Sequence, residues 1–181
     1  MKTLFSLLVT SAILVTVSKA QTCREVVRDS SGRVVQTIER QKSGNGERAV
    51  VRDASGRVVG TSTSQTSGGN TRTDFRDASG RSNGSATTNG SSSASSQTTY
   101  RDASGRVAGS ATTQTSGTSG TRSDFRDASG RSTGIQTING SLGQFTGTSR
   151  DASGRVTGSS TGSGNCPSGV RVPVSPPAAK K

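Results

Sequence analysis

Apolar positions in this chain are few and unevenly placed. One dense apolar run extends from Leu4 to Val17, after Lys2 and before Ser18-Lys19-Ala20. A charged start, a hydrophobic segment too short to span a bilayer and small residues at its end have the form of a cleavable export signal. The expected cleavage lies between Ala20 and Gln21. Residues 1–20 then form a signal peptide, and the mature chain is secreted, periplasmic or held at the cell surface, with no membrane span after cleavage. Beyond this run the apolar residues stop clustering and begin to alternate. Thr71, Thr73 and Phe75 interleave with Arg72, Asp74 and Arg76, and Thr121, Ser123 and Phe125 with Arg122, Asp124 and Arg126. Alternation with period two, carried by β-branched and aromatic residues, predicts β-strands.

The alternating stretches recur. Each leads into a six-residue motif, first as Arg28-Asp29-Ser30-Ser31-Gly32-Arg33 and then as Arg-Asp-Ala-Ser-Gly-Arg at 52–57, 76–81, 101–106, 126–131 and 150–155, in steps of 24, 24, 25, 25 and 24 residues. Such a period is the mark of a repeat architecture. The motif reads as a hairpin tip. An aspartate at the first turn position accepts a hydrogen bond from the backbone two residues on, Ala-Ser suits the centre of a type I turn, and the glycine takes the left-handed conformation that closes a three-residue loop with a bulge. The expected turn pairs are Asp29 and Gly32, Asp53 and Gly56, Asp77 and Gly80, Asp102 and Gly105, Asp127 and Gly130, and Asp151 and Gly154. A second set of turn signals, among them Ser43-Gly44-Asn45-Gly46, Ser67-Gly68-Gly69-Asn70 and Asn139-Gly140, falls between motifs. One repeat is thus two strands and two turns. The predicted fold is all-β, an array of six 24–25-residue β-hairpin repeats in an antiparallel meander over residues 21–166, flat, curled or closed. Residues 167–181 form an extended basic tail containing prolines.

The residue before each Arg-Asp runs Val27, Val51, Phe75, Tyr100, Phe125 and Ser149, and this column is the expected buried seam. After the last five Gly-Arg pairs, Val58, Ser82, Val107, Ser132 and Val156 alternate, which makes two hairpins the candidate for a longer unit.

The stretch from Gly120 to Arg131, with Phe125-Arg126-Asp127 and Gly130-Arg131 after an upstream glycine, resembles the RHS/YD-repeat group. The departure is that arginine, not tyrosine, precedes the aspartate, with the aromatic one position earlier. The resemblance covers residues 27–160 and implies strips of β-hairpins laid side by side. It speaks to architecture more than to function.

Composition bounds the chemistry. The chain has 181 residues and a net charge of +12, which becomes +10 once Lys2 and Lys19 leave with the signal. Histidine and tryptophan are absent and aromatic residues make up 3%. Little apolar surface is available to offset chain entropy, so a large core is ruled out and a disordered basic chain is the competing reading. Without histidine the Ser-His-Asp and Cys-His nucleophile arrangements are unavailable. No ligand cluster suggests a metal and no phosphate-cradling loop is present, so the expectation is a protein that is not an enzyme and needs no cofactor.

The two cysteines, Cys23 and Cys166, lie just outside the ends of the array, and an even count in an exported protein favours a disulfide. A flat sheet of a dozen strands would hold its ends ~50 Å apart, far beyond the ~7 Å between Cα atoms that a disulfide spans. A bond within the chain therefore requires closure or a crossing segment, and a bond between chains is the alternative. Stacked hairpins would also align Arg28, Arg33, Arg52, Arg57, Arg76, Arg81, Arg101, Arg106, Arg126, Arg131, Arg150 and Arg155 as a ladder. That ladder reads either as a solvated edge that discourages stray strand pairing or as a grip on a polyanion such as acidic polysaccharide, lipopolysaccharide or DNA. The functional expectation is a cell-surface structural or adhesive element, with an anionic surface polymer or another surface component as partner. Self-association into fibres is a further alternative.

Overall fold

The computed structural model describes residues 21–90, 94–116, 120–141 and 143–164. The expected signal peptide, Cys166 and the tail lie outside these residues. Twelve strands form six hairpins: β1 (Gln21–Asp29) with β2 (Val34–Ser43), β3 (Gly46–Asp53) with β4 (Val58–Ser67), β5 (Asn70–Asp77) with β6 (Ser82–Asn89), β7 (Ser95–Arg101) with β8 (Val107–Ser116), β9 (Gly120–Asp127) with β10 (Ser132–Ser141), and β11 (Gln144–Asp151) with β12 (Val156–Gly164). Each pairs antiparallel with its neighbours in sequence, and β1 pairs with β12, so the meander closes into a barrel. The all-β hairpin array is therefore present in its closed form.

Every motif forms the expected tip. In the first, the Gly32 amide donates to the Asp29 carbonyl at 3.0 Å and the Asp29 amide donates to the Arg33 carbonyl at 2.9 Å. The five later tips repeat this pair of bonds. Each glycine sits at a φ between 80° and 84°, the left-handed conformation that the turn demands.

Behind every tip the ladder slips by one residue. Val51 pairs with Gly60 and Arg52 with Val58, which leaves Val59 without a partner; Phe75 pairs with Gly84 and Arg76 with Ser82, which leaves Asn83. The same bulge recurs in all six hairpins, at Val35, Val59, Asn83, Ala108, Thr133 and Thr157. Bulges bend the strand and increase its twist. A glycine follows the bulge in five of the six hairpins, at Gly60, Gly84, Gly109, Gly134 and Gly158. A Cβ at Gly84 would stand 2.2 Å from the Arg101 carbonyl oxygen of the next hairpin, and one at Gly134 would stand 2.3 Å from that of Arg150. The hairpins nest this closely because no side chain intervenes, and repeated glycine–bulge corners are how a β-sheet turns into a barrel.

The interior holds small side chains. Two apolar clusters lie within it, Phe75, Ala86, Tyr100 and Ala111 with Phe125 against them, and Ile38, Ala49 and Val51 with Val27 against them. The expected seam is thus internal, fully buried at Val51, Phe75 and Tyr100 and half-buried at Val27, Phe125 and Ser149. Burial pushes the Tyr100 phenol above its ordinary range, since the charged form would lose its water. One layer further from the tips than the first cluster, hydroxyls pair across neighbouring strands at 2.8 Å: Ser64 with Thr73, Thr88 with Thr98, and Thr113 with Ser123. Near the seam of closure Arg40 donates to Glu47 at 3.0 Å and lies 3.8 Å from Glu25. A round barrel of twelve strands would leave an open lumen. Here Tyr100, Phe75, Thr73, Thr88 and Thr98 are each under 2% exposed, so the walls approach one another closely enough for threonines to fill the space.

The outer face is polar. Arg72, Asp74 and Arg76 on β5 and Arg122, Asp124 and Arg126 on β9 point away from the interior, flanked by Thr87 on β6 and Thr137 on β10. A barrel that spans a membrane needs an outward apolar band ~25 Å tall; between the rims the outward aliphatic residues of the described chain are Val26, Val50 and Ile135, each half-buried among polar neighbours.

Candidate functional site

Because each motif is a tip and the tips all join an odd strand to the even strand after it, closure gathers the six motifs on one rim. In a flat array the arginines would form a straight ladder. The barrel turns them into a collar of twelve arginines and six aspartates, with adjacent tips ~10 Å apart at two strand widths per hairpin. Residues 21–164 carry 18 basic and 11 acidic side chains, a net +7, and the collar alone accounts for +6. The opposite rim, where the other turns and both ends of the barrel lie, consists mainly of Ser, Thr, Gly, Asn and Gln.

The two arginines of a motif have different tasks. The first lies on the outer face of the odd strand and donates from Nη1 to the tip glycine carbonyl, at 3.0 Å from Arg28 to Gly32, 3.1 Å from Arg52 to Gly56, 2.8 Å from Arg76 to Gly80, 3.0 Å from Arg101 to Gly105, 2.7 Å from Arg126 to Gly130 and 2.9 Å from Arg150 to Gly154. Arg76, Arg101, Arg126 and Arg150 are otherwise exposed, and Arg28 and Arg52 are half-buried. Arg52 also lies 3.9 Å from Glu39. The second arginine, at 33, 57, 81, 106, 131 and 155, contributes its backbone amide to the turn. Among the described residues its side chain makes no hydrogen bond or ion pair, and all six are exposed.

The aspartates do not neutralise these guanidinium groups by direct pairing. In each tip one carboxylate oxygen takes three bonds from its own turn: Asp102 accepts from the Ser104 amide at 2.9 Å, the Ser104 hydroxyl at 2.7 Å and the Arg106 amide at 2.9 Å. The serine hydroxyl is the largest cause that holds all six carboxyls below the ordinary aspartate value of 3.8, with backbone amides adding to it. The carboxylates are fixed inward upon their turns while the second arginines reach outward, so the rim presents cations.

One feature of the collar is not anticipated by the sequence reading. Val35, Val58, Val59, Val107 and Val156 are the exposed large hydrophobic residues of the described chain, each 38–47% exposed. All five sit in the collar. Val58, Val107 and Val156 pair across the ladder with Arg52, Arg101 and Arg150, and Val35 and Val59 are bulge residues. The alternation of Val and Ser after Gly-Arg was the available signal.

Cys23 is buried on β1, in register with Gly164 of β12, two residues before Cys166. Elsewhere on the outer face β10, β11, β12 and β1 frame an open groove of about 540 Å³ lined by hydroxyls, the carboxamides of Asn139 and Gln144, and Arg24. Among the described residues no three His, Cys, Asp or Glu side chains cluster as a metal site would require.

No family model, curated protein or solved structure matches the chain. The likeness to RHS/YD repeats rests on the motif alone.

Proposed function

We propose that this chain is an exported, non-enzymatic barrel that serves at the cell surface as an adhesive element, gripping an anionic surface polymer with its arginine collar. The observation that carries this reading is the gathering of six arginine-bearing tips on one rim, where +6 of the barrel's +7 resides. A dense array of guanidinium groups on one rim, six of them without a side-chain partner among the described residues, concentrates polyanions and binds them with strong salt dependence. Arginine forks suit carboxylate, sulfate and phosphate groups. No aromatic ring among the described residues is exposed, which disfavours recognition of bases by stacking. Paired carboxylates in an apolar cleft, which acid–base hydrolysis would need, have no counterpart among the collar aspartates, each of which is engaged by its own turn. Closure also removes the free strand edges on which a fibre subunit would add its neighbours, so a discrete particle is favoured over self-assembly.

The test is retention on immobilised heparin. The chain from Gln21 onward should bind at low salt and elute well above physiological ionic strength. Replacing Arg33, Arg57, Arg81, Arg106, Arg131 and Arg155 with glutamine leaves every tip bond in place, because only their backbone amides are used. That variant should elute at much lower salt, and the corresponding lysine variant should be retained. Flow-through of the parent chain at physiological salt, or unchanged elution of the glutamine variant, would refute the reading.

A further inference from the structure

We infer that the collar docks on the surface of a lipid bilayer rich in anionic headgroups, along the arc where the hairpins β11–β12, β1–β2 and β3–β4 adjoin. The inference rests on the anion-binding reading above and assigns the anions to lipid headgroups in place of a polymer. A soluble polyanion needs only the arginines. The collar also carries every exposed large hydrophobic side chain of the described residues, and placing β-branched apolar groups beside guanidinium groups costs solubility unless something apolar meets them.

The valines are not spread evenly. The hairpins β5–β6 and β9–β10 have Ser82 and Ser132 opposite their first arginine, whereas the others have valine there. Closure makes the last hairpin a neighbour of the first, through β12 and β1. Val156, Val35, Val58 and Val59 therefore share one arc, with Val34 half-buried between them, and Val107 stands apart. In the sequence Val35 and Val156 are 121 residues apart; only the barrel brings their hairpins side by side. Within the arc Arg28, Arg52 and Arg150 project beside these valines, as cross-strand partners of Val34, Val58 and Val156. Apolar groups interleaved with cations are what an interfacial surface needs: the guanidinium groups take headgroup phosphates and the valines enter the boundary with the acyl chains. Away from the collar the outward aliphatic residues Val26, Val50 and Ile135 are half-buried among polar neighbours, so the barrel rests on the bilayer by its collar.

The chain has no tryptophan, so single reporters can be placed. The chain from Gln21 onward is the form to use, because the barrel closes between Gln21 and Gly164 and the preceding apolar run would itself seek lipid. Val59→Trp lies in the arc and Ser67→Trp lies at the opposite rim. With vesicles of phosphatidylcholine containing phosphatidylglycerol, emission from Val59→Trp should shift to the blue and that from Ser67→Trp should not. Val35/Val59/Val156→Thr keeps the β-branching and the charge; it should lower sedimentation with these vesicles about tenfold and leave heparin elution unchanged. Heparin retention with no blue shift at Val59→Trp would overturn lipid docking and leave the anion-binding collar standing. Loss of both would overturn both. Equal binding to vesicles of phosphatidylcholine alone, or an equal shift at Ser67→Trp, would also overturn the inference, since neither the charge nor the arc would then direct the contact.

Discussion

At each tip a single aspartate oxygen organises the turn by accepting from a serine amide, a serine hydroxyl and an arginine amide. All three donors favour the charged carboxylate, so the folded state holds these six groups below 3.8 and the unfolded chain releases them to their ordinary value. A depressed folded pKa adds stability above the unfolded value, and that stability is lost as pH falls through the folded value. Thermal melts followed by circular dichroism should thus be nearly flat from pH 7 to 5 and fall steeply below pH ~4, with uptake of protons on unfolding. Because six identical tips titrate together, the acid limb should be steep for a barrel of this size. Asp77→Asn keeps an acceptor oxygen and removes one titrating group, so its melting temperature should change less between pH 5 and 3 than that of the parent. A Tm independent of pH down to 2.5 would mean that the turns do not hold their carboxylates as described. This residue-scale chemistry is legible in the sequence, because every partner lies within four positions of the aspartate.

The hairpin adds a device that local reading passes over. Gly60, Gly84, Gly109, Gly134 and Gly158 recur with the period of the motif, yet in a chain with 24 glycines they look like composition. Their role appears only when the bulge is known, for it turns each glycine toward the backbone of the next hairpin. Two substitutions separate this role from that of the tip glycines. At Gly56 (φ +83) an added Cβ meets nothing within 4 Å, so Gly56→Ala should cost about 1–2 kcal/mol, the price of a left-handed alanine. At Gly84 (φ +117) the Cβ would meet the Arg101 carbonyl oxygen at 2.2 Å. Backbone is the obstacle and cannot rotate away, so Gly84→Ala should cost about 3 kcal/mol or more or prevent closure. Urea unfolding of the two variants checks the order. Equal losses would mean that the corner is looser than the nested hairpins require. The same limit of local reading applies to Glu25, Arg40 and Glu47, which meet across β1, β2 and β3. Nothing in their spacing along the chain announces an ion cluster, and only the register brings them onto one inner face.

For the whole molecule the decisive contact is the one between the first and last strands, and it is the least legible. Cys-Arg-Glu-Val-Val on β1 and the Ser, Thr and Gly of β12 show no complementary pattern, because the pairing is made by backbone bonds and by the curvature summed over six corners. The cysteines were the one sequence signal of closure, through the argument that a flat array would hold them too far apart. Cys23 stands opposite Gly164, and Cys166 follows Gly164 by two positions in the chain. We propose that the two cysteines bond within one chain and latch the barrel. Such a bond would enclose 142 intervening residues, and loops of that length correspond to a stabilisation of up to about 5 kcal/mol through the restricted unfolded chain. The purified chain from Gln21 onward should then show no thiol toward Ellman's reagent in denaturant and run as a monomer on a non-reducing gel. Reduction should lower its Tm by about 10 °C or more, and Cys23→Ser/Cys166→Ser should melt where the reduced protein does. Two thiols per chain would leave closure to the β1–β12 ladder alone. Disulfide-linked dimers would instead make the seam a junction between barrels, so that adhesion would be multivalent by construction, with two collars on one particle.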